Sequence, residues 1–384
     1  MRFLHTSDWH LGRSLHGVDL LDAQRTVLRQ LGDLVAEPPD GVPIEAVLVA
    51  GDVYDRAVPP VEAVTLFGQA LGWLAEHCTV IVTSGNHDSA IRLGFGAPLF
   101  TDRVRLCTDL ASVGTPVLLN DEVAVYPLPY LDPDAARLAL ATGDEPLARS
   151  HQAVMAAALD RVRADLAGRL GVRSVVMAHA FVVGGEPSAS ERSIQVGGVD
   201  SVAAETFAGV DYVALGHLHG PQRLRSATRT VLSYAGSPLR YSFSELAQPK
   251  SVNLVDLAAD GAVTVTPVPI RQPRPMAELT GTLDELLATD GYAEHWLAVT
   301  VTDRVRPDRP IDRLRSKFPH LLHVGFAPAG RTEAAAPGLP AAGRSPRELA
   351  GDFIAHVTGS SAEDVELAVF EQAYAAALTE AGVG

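Results

Sequence analysis

The chain has 384 residues, is 47% hydrophobic and 20% charged, and carries a formal net charge of −15 at pH 7. That length supports a sizeable core and two or more domains, and the composition excludes wholesale disorder. The acidic balance argues against a generally basic nucleic-acid-binding surface, and no uninterrupted run of about 18 apolar residues offers a membrane span.

The opening "MRFLHTSDWH" turns polar after two apolar residues, so no secretory leader is expected. Cys78 and Cys107 make neither a disulfide framework nor a zinc pattern, which leaves a cytoplasmic location as the expectation. Of the 31 basic residues only Lys250 and Lys317 are lysines, a bias that fits a GC-rich genome and carries no functional message by itself.

From residue 1 to 270, short β-branched runs alternate with helical patterns, which predicts an α/β architecture. The runs are "RFLHTSD" (2–8), "EAVLVAGD" (45–52), "TVIVTSGNHD" (79–88), "RSVVMAHA" (173–180) and "VDYVALGH" (210–217). Each is an apolar strand followed at once by Asp, Gly-Asp, Asn-His or His. Strands buried on both faces look like this, and function collects at their carboxyl ends. Helices are predicted over 61–77 and 150–170 from apolar residues at three- and four-residue spacing.

"RQPRP" (271–275) reads as a linker, because its two prolines break any element. Residues 276–327 form a small mixed unit, with helices near 282–289 and 310–317 and strands at 295–303 and 321–327. Residues 328–346 have the composition of a flexible connector. The remainder, 347–384, carries two helical patterns: 347–357, with Leu349, Phe353, Ile354 and Val357 on one face, and 362–378, with a capping box at Ser361 and Asp364. No internal repeat is present.

Five strand ends carry Asp8 and His10, Asp52, Asn86 and His87, His179, and finally His217 and His219. Singly, each is weak: a lone buried histidine is more often a core residue and a lone Gly-Asp a turn. Together they are carboxylates, an amide oxygen and neutral imidazoles at strand ends that a parallel sheet brings side by side. Mixed hard-oxygen and imidazole donors suit Mn²⁺, Fe²⁺ or Zn²⁺ better than Mg²⁺ or Ca²⁺. Seven such donors besides His87 exceed the need of one site. They match two adjacent sites sharing a carboxylate, with ions about 3.5–4 Å apart clamping a phosphoryl displacement.

The ordered set D-x-H, GD-x-x-D, GNHD, H and GH-x-H resembles the calcineurin-like metallophosphoesterases. "HTSDWHLGRSLHG", "GDVYDRAVPP", "SGNHDSAIRLGF", "SERSIQVGG", "DYVALGHLHGPQ" and "YAGSPLRYSFSE" further resemble the SbcD family, the nuclease subunits of bacterial SbcCD complexes. The resemblance implies an α/β metallophosphoesterase sandwich of two central sheets flanked by helices. To this it adds a small α+β capping, DNA-binding domain and a C-terminal helical tail. It implies two divalent ions, with manganese expected: Asp8, His10 and His219 on the first, Asn86, His179 and His217 on the second, Asp52 bridging. His87 is then the general acid and electrostatic stabiliser, with the Asp55 carboxylate as its orienting partner; a helix cap is the other reading of Asp55. The remaining histidines are read as structural, and Trp9 as packing beneath the metal loop.

The resemblance also implies DNA as substrate, with 3′→5′ exonuclease action on double-stranded ends and endonuclease action on single strands and hairpins, in repair and recombination at the nucleoid. Its implied partner is an SbcC-type ABC ATPase with a long coiled coil, held by the C-terminal helices. The expected assembly is a homodimer of this chain within a heterotetramer. The same metal motifs would serve a small-molecule or cyclic-nucleotide phosphoesterase, which is the alternative. DNA conflicts with a charge of −15, so local basic clusters matter. No acidic residue lies between Tyr212 and Ser244, while Arg223, Arg225, Arg229 and Arg240 do. A second cluster includes Arg304, Arg306 and Arg313. Arg223, Arg225, Arg240, Arg304, Arg306 and Arg313 are the candidate DNA contacts.

Overall fold

The structure, a computed structural model, describes residues 1–100, 102–194, 201–328, 344–358 and 361–380. It divides into two compact units, Met1–Ala277 and Glu278–Gly384.

The first unit is built on two six-stranded sheets. One runs Val263–Pro269, Ser251–Leu257, Arg2–Thr6, Ala46–Ala50, Thr79–Thr83, Val104–Cys107. The other runs Gln222–Leu224, Val231–Tyr234, Tyr212–Gly216, Arg173–His179, Val123–Pro127, Val117–Leu119. Arg2–Thr6, Ala46–Ala50 and Thr79–Thr83 are parallel neighbours, as are Arg173–His179 and Tyr212–Gly216. Central parallel strands are covered on both faces, which is why "AVLVA" and "YVALG" are buried at every position.

Phe3, Leu48 and Ile81 of the first sheet meet Val125, Val175, Met177 and Ala214 of the second in one core. The alternate residues of the second sheet, Tyr126, Val176, Val213 and Leu215, pack with Val154, Met155, Leu159 and Val162 of helix His151–Leu166. Those helical positions recur at three- and four-residue spacing, so one stripe faces the sheet. Ser150 opens this helix by accepting the Ala153 N–H at 3.2 Å. Each buried Val or Leu of this kind contributes about 1.5–3 kcal/mol. Helix Val61–Ala75 packs on Thr79–Thr83 and on helix Leu21–Ala36.

Beyond residue 275 comes a three-stranded sheet, Met276–Gly281, Trp296–Val301 and Leu321–Phe326, with helices Leu283–Ala288 and Pro310–Lys317. The strand Met276–Gly281 was not among the sequence expectations. It is an edge strand with no fully buried residue, so its polar "MAELTG" lacks a strand signature. Helices Pro346–Thr358 and Asp364–Glu380 follow. The second helix corrects the expected cap. It starts at Asp364, and the Glu363 N–H donates to Glu366 Oε2 at 2.8 Å, so the reciprocal contact sits two residues beyond Ser361. Most of the predicted connector, residues 329–343, lies outside the described residues. Among the described residues no helix is long and apolar enough to cross a membrane.

Candidate metal centre

Asp8 and His10 follow Arg2–Thr6, Asp52 follows Ala46–Ala50, and Asn86 follows Thr79–Thr83. His179 ends its strand, and His217 and His219 follow Tyr212–Gly216. Parallel pairing therefore delivers three donor-bearing ends from one sheet and two from the other. The backbone is bent hard to aim them: Asp8, His10, Asp52 and His217 all have positive φ, at 55°, 43°, 50° and 110°. Left-handed backbone at non-glycine residues is costly and gathers at functional sites. The glycines beside them are dictated by close approach. A Cβ on Gly216 would sit 1.9 Å from the Ala50 carbonyl oxygen, and one on Gly85 would sit 2.1 Å from Asp52 Oδ1.

The donors converge. His10 Nε2 and His219 Nε2 face each other at 3.0 Å, with Asp8 in the same group of atoms within 4.8 Å. His179 Nε2 lies 3.0 Å from Asn86 Oδ1, and His217 Nδ1 lies 3.3 Å from the same oxygen. Asp52 Oδ2 stands between these sets, 3.6 Å from His10 Nε2 and 3.5 Å from His179 Nε2. All but Asn86 are buried.

Tautomers follow from the surrounding network. The Ala50 carbonyl can only accept, so His179 Nδ1, 3.0 Å away, carries the hydrogen. Nε2 of neutral His179 then presents a lone pair to the lone pairs of Asn86 Oδ1. Likewise Ser190 Oγ donates to Glu245 Oε1 at 2.5 Å, so His219 Nδ1 donates to Ser190 Oγ at 2.7 Å and leaves its Nε2 bare. An acceptor facing an acceptor, as Nε2 of neutral His179 faces Asn86 Oδ1, needs a positive charge between them, a proton or a metal ion. Their separation of about 3 Å is what two ligand atoms about 2.1 Å from one ion show at the right angle of an octahedral site. His10 Nδ1, buried without a hydrogen-bond partner among the described residues, is a further polar atom left unsatisfied.

The electrostatics agree. Burial works against a charge on His179, yet the Asp52 carboxylate outweighs it and lifts the imidazole to about 9. Burial pushes Asp8 up to about 6, and burial depresses His217 to about 3. Asp52 is held well below the usual carboxylate range despite burial, by His179, His10 and His87. Two buried carboxylates among imidazoles call for a positive charge, which a proton on His179 supplies here and a divalent ion would supply in its place.

His87 sits at the edge of this group. Its N–H donates to Asp52 Oδ1 at 2.9 Å and its Nε2 lies 4.0 Å from Asp52 Oδ2. Here the expectation for Asp55 is corrected. His87 Nδ1 donates at 2.7 Å to the main-chain carbonyl of Asp55, not to its carboxylate. That carboxylate turns to Arg13 Nη1 at 3.7 Å and lies 3.8 Å from His10 Nδ1. Asp88, unremarked in the sequence, ties two motif loops together. It accepts N–H bonds from Val53, Tyr54 and Gly85 at 3.1, 2.9 and 2.9 Å.

A cavity of about 440 Å³ opens on Asn86 and His87 and is lined by Arg13, Arg56 and Arg192. None of the three was singled out by sequence reasoning; only their closeness in space to the motifs marks them. Of the arginines that were, Arg223 and Arg225 are exposed near an edge of the second sheet. Arg240 corrects the expectation: half-buried, it donates to the carbonyls of Glu245 and Gln248 at 3.3 and 3.2 Å and serves the local turn. In the second unit Arg304 is exposed, Arg306 lies 4.4 Å over the Phe326 ring, and Arg313 lies 3.4 Å from Asp284. Trp9 is buried, its Nε1 donating to Thr6 Oγ1 at 3.0 Å.

Comparison with known proteins joins this geometry to a family. The calcineurin-like phosphoesterase model matches residues 1–221. The model described as type 5 capsule protein repressor C-terminal domain matches 272–358, running on through the first C-terminal helix. The SbcD component of nuclease SbcCD from Bacillus subtilis (strain 168) is 35% identical over 345 residues, covering 84% of this chain and 85% of that protein. The chain belongs to the calcineurin-like phosphoesterase family and, within it, to the SbcD family, and it is a metal-dependent phosphodiester hydrolase.

Proposed function

We propose that this chain is the Mn²⁺-dependent DNA nuclease component of an SbcCD-type complex, a 3′→5′ exonuclease on duplex ends and an endonuclease on single strands and hairpins. The observation that carries it is the position of Asp52 Oδ2, 3.6 Å from His10 Nε2 and 3.5 Å from His179 Nε2, between two sets of donors. In this reading Asp8, His10 and His219 hold one ion, Asn86, His179 and His217 hold the other, and Asp52 bridges them. When bound, a divalent pair supplies Lewis acidity and a nucleophilic water at neutral pH.

The chain's own residues do the rest. His87, its Nδ1 hydrogen fixed on the Asp55 carbonyl, offers Nε2 toward the cleft as acid and charge stabiliser for the leaving oxygen. Arg56 and Arg192 at the cavity wall suit the phosphates that flank the scissile one. They place positive charge locally in a chain whose net charge is negative, and the bound ions add more.

Residues 1–270 are the nuclease domain in this reading and 276–327 the capping, DNA-binding domain. Residues 328–346 tether the tail 347–384, which docks on an SbcC-type ATPase. Phe353, Val365 and Val369 are 66%, 64% and 63% exposed on the tail helices, apolar surface that a partner groove would cover. Ile91, Phe95 and Leu99, exposed by 88%, 86% and 89%, offer a second apolar surface for the homodimer.

The test is cleavage of a labelled hairpin and a labelled duplex end with Mn²⁺ or Mg²⁺, with and without the ATPase and ATP. Manganese-dependent cleavage of both supports the reading. Hydrolysis of small phosphodiesters or cyclic nucleotides with no cleavage of DNA under any condition overturns it.

A further inference from the structure

His219 has four polar atoms, and the surrounding protein engages three of them from buried or half-buried positions. Its N–H donates to Glu191 Oε1 at 2.8 Å, and its carbonyl accepts from Lys250 Nζ at 2.8 Å. Its Nδ1 donates to Ser190 Oγ at 2.7 Å, with Glu245 Oε1 at 3.3 Å. Only Nε2 points into the metal centre. His10 lacks this support: among the described residues its Nδ1 has no hydrogen-bond partner, and the Asp55 carboxylate stays 3.8 Å away.

The support rests on an ion pair in the interior. Lys250 Nζ lies 2.5 Å from Glu245 Oε2, and both side chains are fully buried. Burial costs both charges, and each is the other's counter-ion. Lys250 also donates to Ser237 Oγ at 2.8 Å. Removing one member of a buried pair leaves an unpaired charge, whereas replacing both is often neutral for stability. A pair placed against a histidine that points at a metal centre therefore has a role separable from stability: the carboxylate selects the Nδ1–H tautomer and bares Nε2.

We infer that Glu245 is a positioning residue for His219, held in place by Lys250 and closed by Ser190, and that this line sets the affinity of one metal site of the two. The inference rests on the two-metal reading above. Carboxylates behind ligating imidazoles typically change affinity 10- to 100-fold when removed.

The test is calorimetric titration of the full chain with Mn²⁺, paired with thermal unfolding of the metal-free protein. It compares wild type, Glu245→Gln, the double variant Glu245→Gln/Lys250→Met, and Ser190→Ala, which keeps the ion pair. The expected result is one Mn²⁺ site weakened about 10- to 100-fold in Glu245→Gln and in the double variant, the other unchanged. Ser190→Ala weakens the same site, and the double variant regains thermal stability without regaining affinity. Unchanged affinities in Glu245→Gln and Ser190→Ala overturn the inference. So does a double variant whose affinity returns with its stability, because the pair would then be structural only. A wild-type chain that binds no Mn²⁺ overturns the two-metal reading, and the inference with it.

Discussion

His87 Nδ1 donates to the main-chain carbonyl of Asp55 at 2.7 Å, while the Asp55 carboxylate faces Arg13. A carbonyl fixes the imidazole's orientation as a carboxylate does. Substitution at position 55 keeps the carbonyl. Asp55→Asn is therefore predicted to lower kcat by less than about tenfold, while His87→Ala lowers it on the order of 10²-fold or more with Mn²⁺ stoichiometry unchanged. Steady-state kinetics alongside metal analysis checks this. A loss of bound metal in His87→Ala would make His87 a ligand.

Gly216→Ala is predicted to damage the centre without replacing a ligand. Its Cβ would stand 1.9 Å from the Ala50 oxygen and 2.8 Å from His179 Nδ1, so the hydrogen bond that sets the His179 tautomer must break. Overpacking of this kind costs about 1–3 kcal/mol, occasionally more. Thermal unfolding and metal analysis together should show a lower Tm and less than full metal loading.

Arg56→Ala and Arg192→Ala should raise KM for DNA and spare kcat, because both line the cavity wall rather than the donor cluster. Each lost phosphate contact lowers the salt slope of DNA binding by about 1. Hydrolysis of a small phosphodiester should not change. Fluorescence anisotropy over a salt series measures the slope, and an unaltered slope would remove the arginines from the DNA path.

Cutting the chain after Pro328 should spare metal binding and small-phosphodiester hydrolysis, since the centre lies within Met1–Ala277. The same cut should abolish co-purification with the ATPase and ATP-dependent hairpin cleavage. A truncated chain that still binds the ATPase with full affinity would assign docking elsewhere.

Much of the centre was legible because its donors sit where apolar strands stop, and strand ends are visible in one dimension. "GHLH" after "YVAL" is weak by itself and gains its meaning from the four other strand ends. What supports the donors was not legible. Glu245 reaches His219 across 26 positions and Ser190 across 29, and nothing in "YSFSE" or "SASE" marks a carboxylate or hydroxyl behind an imidazole. Lys250 reads as one of two survivors of an arginine bias, yet it holds the His219 carbonyl. Arg240 misled in the opposite direction. Its acid-free neighbourhood reads as a basic surface, whereas the Phe243–Glu245 turn draws the guanidinium inward to carbonyls. In the fold, the buried parallel strands were plain, and the polar edge strand Met276–Gly281 was not.

The most direct test of the two-metal account is anomalous scattering at the manganese edge from crystals of the full chain soaked in Mn²⁺. The account predicts two peaks on either side of the Asp52 carboxylate, one against His10 and His219 and the other against Asn86, His179 and His217. A single peak, or peaks away from Asp52, would contradict it.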